Sequence, residues 1–176
     1  TSKAQPGNLI YPYLLKGLKI DHPNQVWSID ITYIPIRTDW LYLVAIIDWF
    51  SRYVLSWEIS DTMEIDFVLN TSRKALKKAV PEIMNSDQGS HFTSPKYTQI
   101  FLDAGSRISM DHRGRAYDNI FVERLWRSVK YEDVYLNEYE TPRDARIGID
   151  RYLRFYNTER PHSSIQYQTP ESVYNQ

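Results

Sequence analysis

Three β-rich segments, VWSIDITYIPI, WLYLVAIIDWF and RYVLSWEIS, follow one another between residues 26 and 60, divided only by RTD and a short turn around Ser51. Connections that short leave room for hairpins alone, so the spacing predicts three consecutive antiparallel strands. After them the apolar period changes. Phe67, Val68, Ala75, Leu76 and Ala79 recur at helical spacing between Thr62, read as a cap, and Pro81, which stops the helix. IMNSD and SRISM then read as short strands on either side of a helix that Ser94-Pro95 begins and Gly105 ends. A helix over about residues 119–132, a longer one from Thr141-Pro142 to about Tyr156, and a last turn at Pro170–Tyr174 complete the chain. A meander followed by strands alternating with helices implies an α/β fold: a mixed sheet of three antiparallel and then shorter parallel strands, with helices on both faces.

The 176 residues suffice for one domain with a sizeable core, which we place at residues 26–176. Residues 1–25, rich in Pro, Gly, Asn and Lys, read as a linker or N-terminal extension. No apolar run reaches the roughly 20 residues a bilayer requires, and the first 20 residues lack the order of a signal peptide, so a cytoplasmic protein without a membrane partner is expected. The absence of cysteine excludes disulfides, thiolate metal sites and cysteine nucleophiles. The four histidines are scattered without zinc-ligand spacing, which leaves carboxylates as metal ligands and magnesium as the fitting ion. A net charge of −1 gives no bulk signature of a nucleic-acid partner. The chain begins at Thr1, from which we expect a fragment of something longer.

Several acidic residues stand out. Glu123 lies in a helix whose apolar arc is Phe121, Val122, Leu125, Trp126 and Val129. It falls outside that arc, in a polar stripe with Asn119, Arg127 and Lys130; taken alone, a solvated face with a Glu–Arg pair explains it better. Asp30 is out of place in the middle of a strand, where a buried carboxylate needs either a cation or several donors. Asp87 ends a strand just before a Gly turn, the location of active-site crevices in open α/β sheets, although capping that turn would explain it equally. Asp48 is better explained as a hairpin cap, and Asp118 as the N-cap of the helix holding Glu123. If Asp30, Asp87 and Glu123 converge at one sheet edge, their repulsion calls for divalent cations, and the chemistry implied is two-metal phosphoryl transfer.

Asp87 and Glu123 are separated by 35 residues, and Lys130 stands seven beyond Glu123. With that spacing, the stretches WSIDITYI, YLVAIIDWFSRYVLSW, NSDQGSHFTS, RGRAYDNIFVERLWRSVKYE and YNTERPHSSIQYQTP resemble the retroviral-integrase type of catalytic core. They resemble more closely the transposases of bacterial insertion sequences that carry this core in their second reading-frame product. The resemblance covers nearly everything from Val26 to Tyr174. It implies a ribonuclease-H-like fold, with Asp30, Asp87 and Glu123 as catalytic residues binding two Mg²⁺ (or Mn²⁺) ions. It further implies cleavage at transposon-end DNA, strand transfer by a 3′ hydroxyl into target DNA, a homo-oligomer on DNA, and an upstream DNA-binding domain missing from this chain. Two positions depart from the family's usual pattern: Asn85, where His is frequent, and His91, where Gln is frequent.

Lys130, Arg127 and Asn119 on the stripe of Glu123, and Arg160 and His162 in ERPHSS, are the candidate DNA contacts. Charge balance within the helix and packing of the tail are their structural alternatives. Arg73, Lys74, Lys77 and Lys78 read as a solvated helix face. A nuclease of the same fold that never joins strands, and an inactive DNA-binding or assembly module, are the rival functions; YNTERPH favours a transposase over the first, and the three intact carboxylates argue against the second.

Overall fold

The computed structural model describes residues 7–112 and 119–176. Its centre is a five-stranded sheet of order β3-β2-β1-β4-β5. Strands β1 (Val26–Ile36), β2 (Asp39–Asp48) and β3 (Val54–Ser60) form the antiparallel meander, and β4 (Ile83–Ser86) and β5 (Arg107–Met110) add parallel to the free side of β1. The β2–β3 turn is organised by Asp48, as its sequence position predicts. Its buried carboxylate accepts hydrogen bonds from the backbone N–H of Asn24 and Ser51, both at 2.8 Å, and from the Ser51 hydroxyl at 2.6 Å. Arg52 closes the turn in the left-handed region, at φ 66°.

Alternation along the strands sends two apolar sets to opposite faces. Ile34, Leu41, Leu43, Ala45 and Ile47 meet α4 (Ile120–Val129) and α6 (Pro142–Thr158), while Trp27, Ile29, Val44, Ile46 and Leu55 meet α1 (Asp66–Leu76) and α3 (Pro95–Asp103). Neither face is left to water, so the expected mixed sheet with helices on both sides is what forms. None of the described helices is long and apolar enough to cross a membrane.

Helix starts obey cap chemistry where caps exist. Ser94 accepts from Lys96 N–H, Thr141 from Asp144 N–H and Thr169 from Ser172 N–H, each with proline in the first turn of α3, α6 and α7 (Pro170–Tyr174). Thr62, in contrast, does not cap α1: that helix begins four residues later, after Ile65, and Thr62 N–H is instead taken up by the Ser60 hydroxyl. Asp118, expected as the cap of α4, lies outside the described residues. A four-residue helix α2 (Ser90–Thr93) precedes α3, although the sequence carried no apolar period for it.

Helix α4 does not run on smoothly to residue 132. It passes into a π-helical turn, Lys130–Val134, and then a short α5 (Tyr135–Asn137). The wider turn shifts the helical phase of the residues after Val129, so that Leu136, which an unbroken helix would hold on the Val129 side, is 75% exposed, while Asp133 and Val134 turn inward. Asp133 then accepts from the Tyr139 hydroxyl at 2.7 Å, and Tyr139 lies so close to α6 that a Cβ on Gly148 would collide with its hydroxyl oxygen. At the other end of α6, buried Asn157 exchanges two hydrogen bonds with the Val54 backbone and seats the helix on β3.

Residues 7–25 hold no helix or strand but are tied to the domain along their length. Leu14 N–H donates to the Ser109 hydroxyl, Met110 N–H donates to the Pro12 carbonyl, and Leu15 is buried against Val26, Trp49 and Ile83. The segment therefore lies over β5, which would otherwise be an open sheet edge.

Candidate active site

The parallel register of β1 and β4 pairs Val26 with Ile83, Trp27 with Met84 and Ser28 with Asn85. Carried two residues further, it sets Asp30 level with Asp87, the first residue beyond β4. Both lie where the two strands diverge, at the carboxyl end of β4, the side on which open α/β sheets bind ligands. The aspartate that is odd in mid-strand and the aspartate at a strand end are thus neighbours through sheet register alone.

Helix α4 crosses the same place. Trp126, on its apolar arc, directs its indole N–H to Asp30 Oδ2 at 3.1 Å. Glu123 is three residues earlier on α4, about one turn away, and its side chain projects from an exposed position beside that contact. Burial pushes the Asp30 carboxyl up to about 6, and the negative charges of Asp87 and Glu123 push in the same direction, against the Trp126 hydrogen bond and the Ile31 backbone N–H. Asp30 therefore senses both of the other carboxylates.

The three are gathered at one edge without being closed into a cage. Among the described residues, no three His, Asp or Glu side chains stand close enough to hold one ion. Like charges repel, and Glu123 is free to turn outward. Asp87 is exposed, with Oδ1 accepting the Gly89 N–H at 2.7 Å, which holds the carboxylate at the turn. The donor set consists of carboxylate oxygens, one of them buried where ionisation is disfavoured. Such a set fits a hard divalent cation, whose charge would remove the repulsion.

The flanking residues divide. Lys130 is half-buried at the first position of the π-helical turn and forms no ion pair among the described residues. Asn119 occupies the N-cap of α4 but makes no side-chain cap bond, and its buried Oδ1 has no hydrogen-bond partner among the described residues. Arg127 forms no ion pair with Glu123 among the described residues: its guanidinium lies over the Tyr131 ring at 5.8 Å, and the residue lines a cavity with Arg52, Arg124 and Arg160. Arg160 forks onto Glu132, Nη2 to Oε1 at 2.5 Å and Nε to Oε2 at 2.7 Å. His162 is 7% exposed, packed edge-on against Tyr156 and held neutral, its pKa lowered to about 4 by burial and by the charge of Arg160. Arg160 and His162 are packed elements of the tail, bordering a cavity rather than reaching freely into solvent.

At the two positions that depart from the usual pattern, Asn85 is buried and donates to Asp111 Oδ1 at 2.9 Å, and His91 Nε2 lies 2.6 Å from the Met63 carbonyl. Of the basic residues on α1 and just after it, Lys74 pairs with Glu58 and Lys78 donates to the Leu55 carbonyl, while Arg73 and Lys77 are exposed. Sequence reasoning placed Trp126 in the core and missed its hydrogen bond; the available signal was that a buried indole N–H needs an acceptor. It also missed Arg52 and Arg124, whose roles depend on partners far away in the chain.

The chain matches the family model described as an integrase core domain over residues 20–116, and a second model of the same description over residues 104–170. The transposase for insertion sequence element IS904 of Lactococcus lactis is 36% identical over 169 residues, covering 93% of this chain and 67% of that protein. The transposase InsF for insertion sequence IS3fB of Escherichia coli is 32% identical over 158 residues, covering 88% of this chain and 55% of that protein. The chain thus spans about half to two thirds of the length of the curated relatives it matches. Among solved structures, the HTLV-2 integrase catalytic core domain, determined in complex with magnesium, superposes with a TM-score of 0.71 at 19% identity, covering 87% of this chain and 97% of that one. At that identity the likeness is one of fold.

Proposed function

Because this chain belongs to the integrase core domain family, together with the transposases of bacterial insertion sequences, we propose that it is the catalytic core with which such a transposase cuts and joins DNA. The observation that carries the reading is the meeting of Asp30 and Asp87 through strand register, with the charge of Glu123 felt at Asp30. Nothing in the packing of a structural domain requires three carboxylates to be gathered there against their repulsion.

Asp30, Asp87 and Glu123 would hold the divalent ions, Mg²⁺ or Mn²⁺ and two in number. Ions held there supply an attacking water or 3′ hydroxyl of lowered pKa and compensate the charge on the leaving oxygen. The chain's own residues do the rest. Trp126 fixes Asp30 in orientation, and Gly89 N–H fixes Asp87. Asp30, whose carboxyl burial pushes up to about 6, would hold a cation in its deprotonated form, so a bound cation would favour loss of that proton. Glu123, exposed on α4, would supply the third carboxylate of the set. Lys130, one helical stretch beyond it, is positioned to hold a phosphate oxygen, which gives affinity without base preference, and Asn119 offers an amide at the start of the same helix. No protein nucleophile takes part.

The partners in this reading are transposon-end DNA and target DNA, acted on in the bacterial cytoplasm. Joining two ends to one target calls for a homo-oligomer, with end recognition supplied by an upstream DNA-binding domain outside this chain. The test is a transposase carrying this core, given pre-cleaved end DNA and Mg²⁺, compared with its Glu123→Gln variant. Joined products from the parent and none from the variant are expected. Equal joining by both would sink the assignment of Glu123, and nicking without joining would make the protein a nuclease.

A further inference from the structure

The flank of α4 turned away from Asp30 borders a cavity of about 370 Å³. Arg124, Arg127 and Ser128 line it from the helix, Arg52 from the β2–β3 turn, and Arg160 and Ser163 from the segment after α6. Four guanidinium groups therefore surround one small space. Among the described residues only one carboxylate, Glu132, forms an ion pair with any of them, and it is taken up by Arg160 and by the Tyr152 hydroxyl, while Asp48 attracts Arg52 without pairing with it. Arg52, Arg124 and Arg127 form no ion pair among the described residues. Asp48, the acidic group nearest Arg52 in sequence, already accepts three hydrogen bonds from Asn24 and Ser51. Burial lowers the pKa of Arg52, and the charge of Arg124 lowers it further, so the cations are close enough to repel one another. His162, the remaining titratable group on this wall besides Tyr156, is neutral and adds no counter-charge.

A cluster of four cations, Arg52 and Arg160 half-buried and Arg124 and Arg127 exposed, with hydroxyls beside it and a single ion-paired carboxylate among the described residues, is complementary to an anion with several acceptor oxygens. The rings at the cavity are already covered. The Arg52 guanidinium lies 3.9 Å above Phe121 and that of Arg160 lies 5.8 Å from the Tyr156 ring, so no free aromatic face is left on which a base would stack. The arrangement selects a phosphate and neglects the base.

We propose that this cavity seats a backbone phosphate of the DNA and that it sets the register of the DNA against the carboxylates. Arg124 follows Glu123 directly on α4, so a phosphate held here is fixed relative to the catalytic edge by one rigid helix. The inference rests on the DNA reading above and deepens it.

The experiment uses the whole chain with two probes: inorganic phosphate, followed through the arginine Nε–H resonances, and a DNA duplex, followed by fluorescence anisotropy over a salt series. The variants are Arg124→Gln/Arg127→Gln, the charge-preserving Arg124→Lys, and Arg143→Gln as a loss of charge on the exposed start of α6, each checked for an unchanged melting temperature. Phosphate should shift the Arg52 and Arg124 resonances saturably. The double variant should lose about tenfold in DNA affinity, and its slope of log K against log salt should fall by about 1, the loss of one phosphate contact; Arg124→Lys and Arg143→Gln should keep the slope. Unshifted resonances, or a double variant that binds DNA like Arg143→Gln, overturn the proposal. Phosphate binding without any change in DNA binding also overturns it, by assigning the cavity to a free anion. Glu123→Gln, assayed alongside, separates the two readings: normal DNA binding with cleavage lost upholds the catalytic reading even where the cavity fails.

Discussion

Helix α4 has two flanks of opposite character. On one, Glu123 stands exposed near Trp126, its charge felt at Asp30 together with that of Asp87; on the other, Arg124 and Ser128 line a cavity with Arg52 and Arg160. The acidic flank gathers charges that repel and fits cations, and the basic flank gathers charges that repel and fits anions. Between them the buried stripe of Val122, Leu125, Trp126 and Val129 holds the helix on the sheet. The contrast teaches that each flank gathers like charges that the packing pairs only in part, as Arg160 with Glu132 on one and Trp126 with Asp30 on the other. Metal ions and a phosphodiester are what would satisfy both at once.

The largest expected effect breaks the acidic flank. Glu123→Gln should reduce Mg²⁺-dependent DNA cleavage by about 10³-fold or more, since the ions supply several kcal/mol of stabilisation in the transition state. Gel assay of end cleavage checks it, and on the proposal above DNA affinity should be unchanged.

The next effect sets one flank against the other through pH. Asp30 titrates near 6 in the folded chain against about 3.8 unfolded, so its protonated form stabilises the fold, and that contribution is lost as pH rises from 4 through 6. His162 titrates near 4 folded against about 6.5 unfolded, so its stabilisation is full above pH 6.5 and lost as pH falls toward 4. Each is worth on the order of 2 kcal/mol after allowance for solvent screening, and the two oppose each other. In metal-free buffer, Asp30→Asn should therefore leave a protein that loses stability steeply below pH 6.5, and His162→Gln one that loses it between pH 4 and 6. Urea denaturation at a series of pH values checks both; parallel profiles for the two variants would contradict the assignment.

Trp126→Phe sharpens the comparison on the acidic side alone. It keeps most of the packing but removes the N–H held to Asp30, so the Asp30 carboxyl should titrate above 6, and the Mg²⁺ concentration for half-maximal activity should rise about tenfold, as for loss of a group that orients a ligand. Carboxyl NMR titration and a metal titration of activity read the two effects. The smallest expected effect is on the basic side. Glu132→Gln frees Arg160 and should cost about 1 kcal/mol in thermal unfolding while tightening DNA binding at low salt.

The elements whose ends carry their own chemistry were legible in the residues. The β1 segment and the α7 turn form over the very residues that β propensity and the Pro170 start indicate, and Ser94 and Thr141 cap the helices they were expected to cap. Elements without such a marker were not. Helix α1 starts at Asp66 without a side-chain cap, and the π-helical turn arises with the packing of Asp133 under Tyr139, which no local period announces. Segment 7–25 looked like a linker because its apolar residues are sparse, yet Leu15 is buried and the backbone is bonded to β5.

The site divides in the same way. Asp30 was conspicuous because a carboxylate is out of place in mid-strand and Asp87 because it ends a strand before a Gly turn, anomalies that are local and need no partner to be noticed; Glu123, outside the apolar arc of its helix, reads alone as part of a solvated face and stood out only through its spacing from Asp87 and the resemblance. Sequence by itself determined the order of strands and helices, the two apolar faces of the sheet, and which acidic residues were unusual. Only the tertiary structure decided that Asp30 lies level with Asp87, that Trp126 reaches Asp30, and that Arg127 lines one cavity with Arg52 and Arg160. The physical reason is range: propensity and periodicity act over a few neighbouring residues, whereas the field at a side chain comes from whatever packing brings near it, and that depends on strand register, on the phase of one helix against the sheet, and on a turn in which Arg52 adopts a positive φ.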